Sequence, residues 1–273
     1  MADGNPQIIE IASGEPPRRI ACLVTPGATG GSPGLVWLPG FRSDMVSTKA
    51  TALAEWVPTR GLALTRFDYS GHGRSGGRFE DMTVGHWLED AETVIAALTH
   101  GPQVLVGSSM GGWIALLLAQ AAMEEGSRLR NRVAGLILIA PAWDMTETLI
   151  KKTLPEDARQ ALKTTGVWLR PSNYGDGPYP ITRKLLQEGQ RHLIAGGLNL
   201  DRPVRIIHGM QDPDVPWRHS LDLVSLLGTP DVRLTLIKDG EHRLSRTTDL
   251  SLLLGTIDEL LATPSNFVHG SKK

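Results

Sequence analysis

The chain has 273 residues, with 28 Lys plus Arg against 29 Asp plus Glu and a single cysteine. That length suits one α/β domain whose core is large enough to need no disulfide or metal staple, and the lone Cys22 excludes a disulfide framework. Balanced charge argues against a nucleic-acid binder, and the lack of any 18-residue apolar run argues against stable membrane insertion.

The opening MADGNPQIIE has no basic n-region and no apolar h-region, so neither a signal peptide nor a transit peptide is expected, and the expected location is cytoplasmic. IIEIAS and RIACLVTP then read as a pair of strands, and GLVWLPG as a short apolar strand ended by Pro-Gly. STKATALAEWVPTRG has helical spacing and stops at Gly61. LALTRFDYSG is a strand that turns polar, and TVGHWLEDAETVIAALTHG is predicted to be a helix capped by Gly101. QVLVG is a strand, GGWIALLLAQAAMEEG a helix, and VAGLILIAPA a strand buried on both faces. PVRIIHG and VRLTLIKDG are strands flanking the helical WRHSLDLVSLLG, and TTDLSLLLGTIDELLA closes the chain as a helix. This alternation predicts a single α/β domain over 1–273, with a mostly parallel central sheet and helices on both faces. One stretch breaks it: about 143–200 carries helical pieces and RPSNYGDGPYP but no convincing strand, and reads as a lid insertion over the carboxyl ends of the strands.

Between the strand QVLVG and the helix that follows lies Gly107-Ser108-Ser109-Met110-Gly111, a G-x-S-x-G pattern that fits only Ser109. Ser108 has Val106 and Met110 at those positions, and reads as a small spacer. A serine on a tight strand-to-helix turn has its Oγ lifted above the sheet at the positive end of a helix, and side chains two residues away on either side would collide. A serine hydroxyl needs a base, and the base needs a carboxylate. Of the histidines after Ser109, His192 lies in the insertion, His208 ends an apolar strand and reads as structural, His219 is helical and His269 is in the tail. His242, in the loop between the last strand and the last helix, is the candidate base. Asp212, in HGMQDPDVPW, is the candidate acid. Asp214 is a rival that would also suit an Asx turn, and Asp144 is a second rival whose structural alternative is a helix N-cap. The oxyanion donors expected are the backbone N–H groups of Met110 and of Phe41, after LVWLPG. FDYSGHGRSGG lacks the spacing of a phosphate cradle and reads as a structural turn near the site.

With GSSMGG, HGMQDPDVPW and DGEHRLS in this order, the chain resembles the α/β-hydrolase superfamily. FDYSGHGRSGG, DGEHRLS and GVWLRPSNYGDGPYPITRKLLQEGQRHLI make it similar, from about residue 8 to about residue 262, to the family of the mitochondrial α/β-hydrolase-domain-containing protein ten. That resemblance implies a palmitoyl-protein thioesterase that also cleaves acyl glucuronides, with Ser109 as nucleophile, Asp212 as acid and His242 as base. It implies no cofactor and a small-molecule or acylated substrate. The chain departs from the family in showing no presequence, which suggests a bacterial relative. Trp143, Trp168, Tyr174 and Tyr179 of the insertion are candidates for an acyl pocket, the plainer alternative being that they pack the insertion onto the sheet. A serine at 109 disfavours chemistry that needs an aspartate nucleophile, and a non-catalytic binding protein on the same fold is the competing class.

Overall fold

The computed structural model describes residues 5–13, 17–28, 32–172, 177–194 and 196–262. In chain order the strands are β1 (Gln7–Ile11), β2 (Arg18–Thr25), β3 (Gly34–Leu38), β4 (Leu64–Phe67), β5 (Gln103–Ser108), β6 (Val133–Ile139), β7 (Val167–Arg170), β8 (Tyr179–Thr182), β9 (Val204–Gly209) and β10 (Val232–Ile237). The α-helices are α1 (Thr48–Arg60), α2 (Val84–Leu98), α3 (Met110–Ala121), α4 (Glu156–Thr164), α5 (Arg183–Glu188), α6 (Arg218–Leu226) and α7 (Thr247–Ala262). Eight strands make one sheet in the order β1-β2-β4-β3-β5-β6-β9-β10, and β2 runs antiparallel to both its neighbours while all other pairs are parallel.

Strands β3, β5 and β6 are buried along their whole length. Successive side chains point to opposite faces, both covered, which explains why these strands are apolar except at Gln103 and Ser108, the two ends of β5. Val36, Leu38 and Leu105 face a layer containing Trp87 and Val94 of α2 and Trp113 and Leu116 of α3. Leu35, Trp37, Val104 and Val106 face the opposite layer, with Leu53 and Val57 of α1 and Leu253 and Ile257 of α7. Each Leu or Val buried this way contributes about 1.5–3 kcal/mol. Because β3, β5, β9 and β10 are all parallel, the loops that follow them gather at one edge of the sheet.

Three sequence readings need correction. The segment between β6 and β9 does contain strands: β7 and β8 pair antiparallel, from Val167 with Thr182 to Arg170 with Tyr179. Each is four residues long, and β8 includes Pro180, which a two-stranded edge tolerates but a sequence pattern reads as a break. Helix α2 ends at Leu98 with Thr99 as its C-cap, where the Thr99 N–H and hydroxyl both donate to the Ile95 carbonyl; Gly101 (φ +63°) belongs to the turn beyond. Asp144 does not cap a helix with its side chain. Its backbone has φ +50°, and its carboxylate accepts the Ile194 N–H at 2.9 and 3.1 Å, tying the start of the segment to its far end.

Candidate active site

Ser109 is the residue between β5 and α3, with φ +53° and ψ −117°. That conformation is strained for a residue with a Cβ, on the order of 1–3 kcal/mol. The turn has room for it because glycines stand two residues away on either side. A Cβ on Gly107 would run into the Gly111 carbonyl, and one on Gly111 into the Leu38 carbonyl of β3. Gly112 is equally confined, against Pro141. The result is a serine whose side chain is partly exposed while Ser108 behind it is buried.

His242 lies in the loop between β10 and α7, with its Nε2 3.2 Å from Ser109 Oγ and its Nδ1 2.7 Å from Asp212 Oδ2. Asp212 follows β9, and its side chain is fully buried. Its Oδ1 accepts the N–H groups of Asp214 and Val215, each at 2.8 Å. The Asx turn considered for Asp214 is thus made by Asp212. His208 also reaches this carboxylate: its Nε2 is 3.2 Å from Asp212 Oδ2. Burial alone would raise the Asp212 carboxyl, but the hydrogen bonds from His208 and His242, the charge of His242 and the Val215 N–H outweigh it and hold the group far below the usual carboxylate range. Asp212, Asp214 and His242 could offer three ligand atoms within 4.8 Å of one another. The Asp212 oxygens are already taken by four donors, so the arrangement reads as a hydrogen-bonded row rather than a metal centre.

The loop after β3 comes up against the serine from the other side. A Cβ on Gly40 would sit 3.2 Å from the Ser108 carbonyl and 3.4 Å from Ser109 Cβ. Phe41 follows, and among the described residues neither its N–H nor that of Met110 has a backbone acceptor. This loop is braced by the turn 67–77. His72 Nε2 accepts the Arg42 N–H at 3.1 Å, and the Asp68 carboxylate accepts those of Met45 and Arg74, each at 2.7 Å. Burial pushes His72 down to about 4, with the Ser70 carbonyl opposing and the Arg42 charge adding to the shift, so its Nε2 stays an acceptor at neutral pH.

A cavity of about 530 Å³ opens onto Ser109 and His242. Phe41, Met145, Leu149, Ile150, Tyr179 and Ile181 give it an apolar side, most of them from the segment between β6 and β9. Of the aromatic candidates in that segment, Tyr179 lines the cavity. Trp143 instead stacks on His219 at 4.4 Å, and the pair exchange hydrogen bonds through Trp143 Nε1 to the His219 carbonyl and His219 Nε2 to the Trp143 carbonyl. Trp168 packs with Ile150, Leu162, Ile181 and Leu186. Tyr174 and His269 lie outside the described residues. His192 is 2.5 Å from Glu188 and faces no part of the cavity lining.

Asp144 lies apart from the row, and its burial has a consequence for stability. Burial pushes its carboxyl up to about 6, the Ile194 N–H opposing and the Glu147 carboxylate adding. An acid raised in the folded state favours folding while protonated. That contribution is complete below about pH 3.8 and is lost as pH rises through about 6. Between about pH 4 and 7, the wild type should therefore lose up to about 3 kcal/mol of stability relative to Asp144→Asn. Urea melts of both proteins across that range check this, and parallel stability curves would refute it.

The family model Hydrolase_4, described as serine aminopeptidase S33, matches residues 35–185. With the sheet order and helix layers above, it defines an α/β hydrolase. The human palmitoyl-protein thioesterase ABHD10, mitochondrial, is 38% identical over 242 residues, covering 88% of this chain and 76% of that protein. Among solved structures, a protein of Agrobacterium vitis S4 aligns with a TM-score of 0.89 and 41% identity, over 94% of this chain and 98% of the other. Mouse α/β-hydrolase domain-containing protein 10 aligns with a TM-score of 0.80 and 35% identity, over 93% and 98%. The chain belongs to the ABHD10 family of α/β hydrolases.

No helix among the described residues is long and apolar enough to cross a membrane. The sequence reads His208 as structural, and what it does not show is the contact with Asp212, for which a histidine closing an apolar strand four residues before a candidate acid is a usable signal. It reads 67–77 as a structural turn near the site, and what it does not show is the bond from the Arg42 N–H to His72, which ties that turn to the loop carrying Phe41.

Proposed function

We propose that the protein is a serine hydrolase that cleaves acyl esters or thioesters through Ser109, His242 and Asp212, with a preference resembling that of palmitoyl-protein thioesterases. The observation that carries this reading is the position of His242, within hydrogen-bond reach of Ser109 on one ring nitrogen and of Asp212 on the other. The Ser109 hydroxyl gives its proton to His242 Nε2 as Oγ attacks the acyl carbonyl. Asp212 accepts the His242 Nδ1–H, which holds the useful tautomer and stabilises the imidazolium. The N–H groups of Phe41 and Met110 receive the oxyanion, helped by the N-terminus of α3. His242 then protonates the leaving oxygen or sulfur, and water repeats the cycle to release the acid. The apolar side of the cavity accommodates the acyl chain, with the segment between β6 and β9 acting as its lid.

Labelling of the wild type by a fluorophosphonate, lost in Ser109→Ala, tests the reaction class against a non-catalytic binding protein. Thioesters and oxygen esters graded by acyl length test the substrate. His242→Ala should lose the activity, and a wild-type rate in that variant would count against a histidine base. A second reading, acyl-glucuronide cleavage, is favoured by the charge of the cavity wall. Arg42, Lys49, Arg170 and Arg243 line it against Asp44 and Asp214, which suits an anionic leaving group. Matched esters with neutral and anionic leaving groups separate the two.

A further inference from the structure

His208 closes β9 and is completely buried. Its Nε2 lies 2.9 Å from the Val215 carbonyl and 3.2 Å from Asp212 Oδ2. Both are acceptors, so Nε2 carries a proton; its hydrogen bond runs to the Val215 carbonyl, and Asp212 Oδ2 is a second, longer contact beside it. Its Nδ1 lies 2.6 Å from Ser220 Oγ in α6, which donates to it when the ring is neutral. The carboxylate oxygen that faces His242 therefore faces a second imidazole as well, while the other oxygen is held by the Asp214 and Val215 N–H groups.

We propose that His208 is a positioning residue for Asp212: by donating to Oδ2 it fixes the plane of the carboxylate and limits how strongly that oxygen pulls on His242. The proposal rests on the assignment of Ser109, His242 and Asp212 made above. Without the His208 N–H, the carboxylate keeps three donors, Asp214 and Val215 on Oδ1 and His242 on Oδ2, so its plane is less firmly held and Oδ2 becomes a stronger acceptor for the His242 Nδ1–H. Asp214 of the same loop brings a carboxylate within 4.8 Å of Asp212 and His242, and His219 of α6 lies close enough to His208 for their charges to interact. Neither occupies the position between His208 and Asp212.

The test compares His208→Phe, which keeps the ring volume and removes the donor, with His208→Gln, whose amide nitrogen restores a donor near the Nε2 position. His208→Phe should lower kcat by about 10- to 100-fold, the value of one hydrogen bond to a charged group, with KM nearly unchanged. His208→Gln should recover kcat to within about 3-fold, which a merely space-filling role for the ring would not allow. Wild-type kcat in folded His208→Phe would overturn the proposal, and so would a Gln variant as impaired as the Phe variant. Should His208→Phe fail to fold, nitrogen-resolved NMR of the wild-type imidazoles decides instead. His208 must be protonated on Nε2, with a resonance that shifts in Asp212→Asn; a proton on Nδ1, or no shift, overturns it. Fluorophosphonate labelling of the wild type keeps the two failures apart. If labelling is absent the catalytic assignment falls, whereas labelling with an insensitive His208 sinks only this proposal.

Discussion

Ser109→Ala is expected to abolish acyl hydrolysis and fluorophosphonate labelling while the protein stays folded, with kcat lower by about 10⁶-fold. The size follows from the role proposed for Oγ: without it no acyl-enzyme forms, and only binding and the oxyanion donors are left. The expectation of an intact fold follows from the contacts. Among the described residues Ser109 Oγ has one hydrogen-bond partner, His242 Nε2 at 3.2 Å, and the turn itself is held by the backbone through Ser109 N–H to the Ile139 carbonyl at 2.8 Å. Alanine keeps the Cβ, so the strain at φ +53° is neither relieved nor increased. Ser108→Ala is the control. Its side chain is buried behind the turn, and activity should be largely kept. Circular dichroism and steady-state rates on one acyl ester check both variants. A dead Ser108→Ala beside an active Ser109→Ala would reverse the assignment.

The parts of the fold legible in the sequence are those whose surroundings restrict the residue type at the position itself. Gly107 and Gly111 flank Ser109 because each would collide with backbone only a few residues or one strand away, and such crowding leaves a mark in residue type. The unbroken apolar runs of β3, β5 and β6 likewise follow from burial on both faces. What escaped reading depends on distant partners. The paired strands β7 and β8 have mostly half-exposed residues, so no alternation marks them. Trp143 has the composition of a pocket residue, but its place is decided by His219, 76 residues further on. Asp144 looked like a cap because it precedes a helical turn, yet its carboxylate answers to Ile194, 50 residues away. His208 shows the same limit at shorter range. Its partners Asp212, Val215 and Ser220 meet it only because the loop after β9 curls back over the strand end.

Asp212→Asn is expected to keep the fold and lower kcat by about 10⁴-fold. The four donors around the carboxylate explain why a near-isosteric change costs so much. If the amide oxygen keeps the Asp214 and Val215 N–H groups, the NH₂ points at His242 Nδ1 and His208 Nε2, both of which are donors in the working arrangement. His242 must then move its proton to Nε2 to accept from the amide, and in that tautomer it cannot take the Ser109 proton. His208 retains the Val215 carbonyl at 2.9 Å, so the loop has a remaining anchor and a stability loss of about 1–3 kcal/mol is expected. Asp144→Asn is the counterpart. Its amide oxygen can still accept the Ile194 N–H, and the side chain is hydrogen-bonded there rather than to Ser109, His242 or Asp212, so activity should be largely kept. Both variants are to be measured on one acyl ester at one pH, beside their urea melts. A normal rate in folded Asp212→Asn with an inactive Asp144→Asn would move the acid to the end of β6, and His242 would then have to swing away from the loop after β9 to meet it.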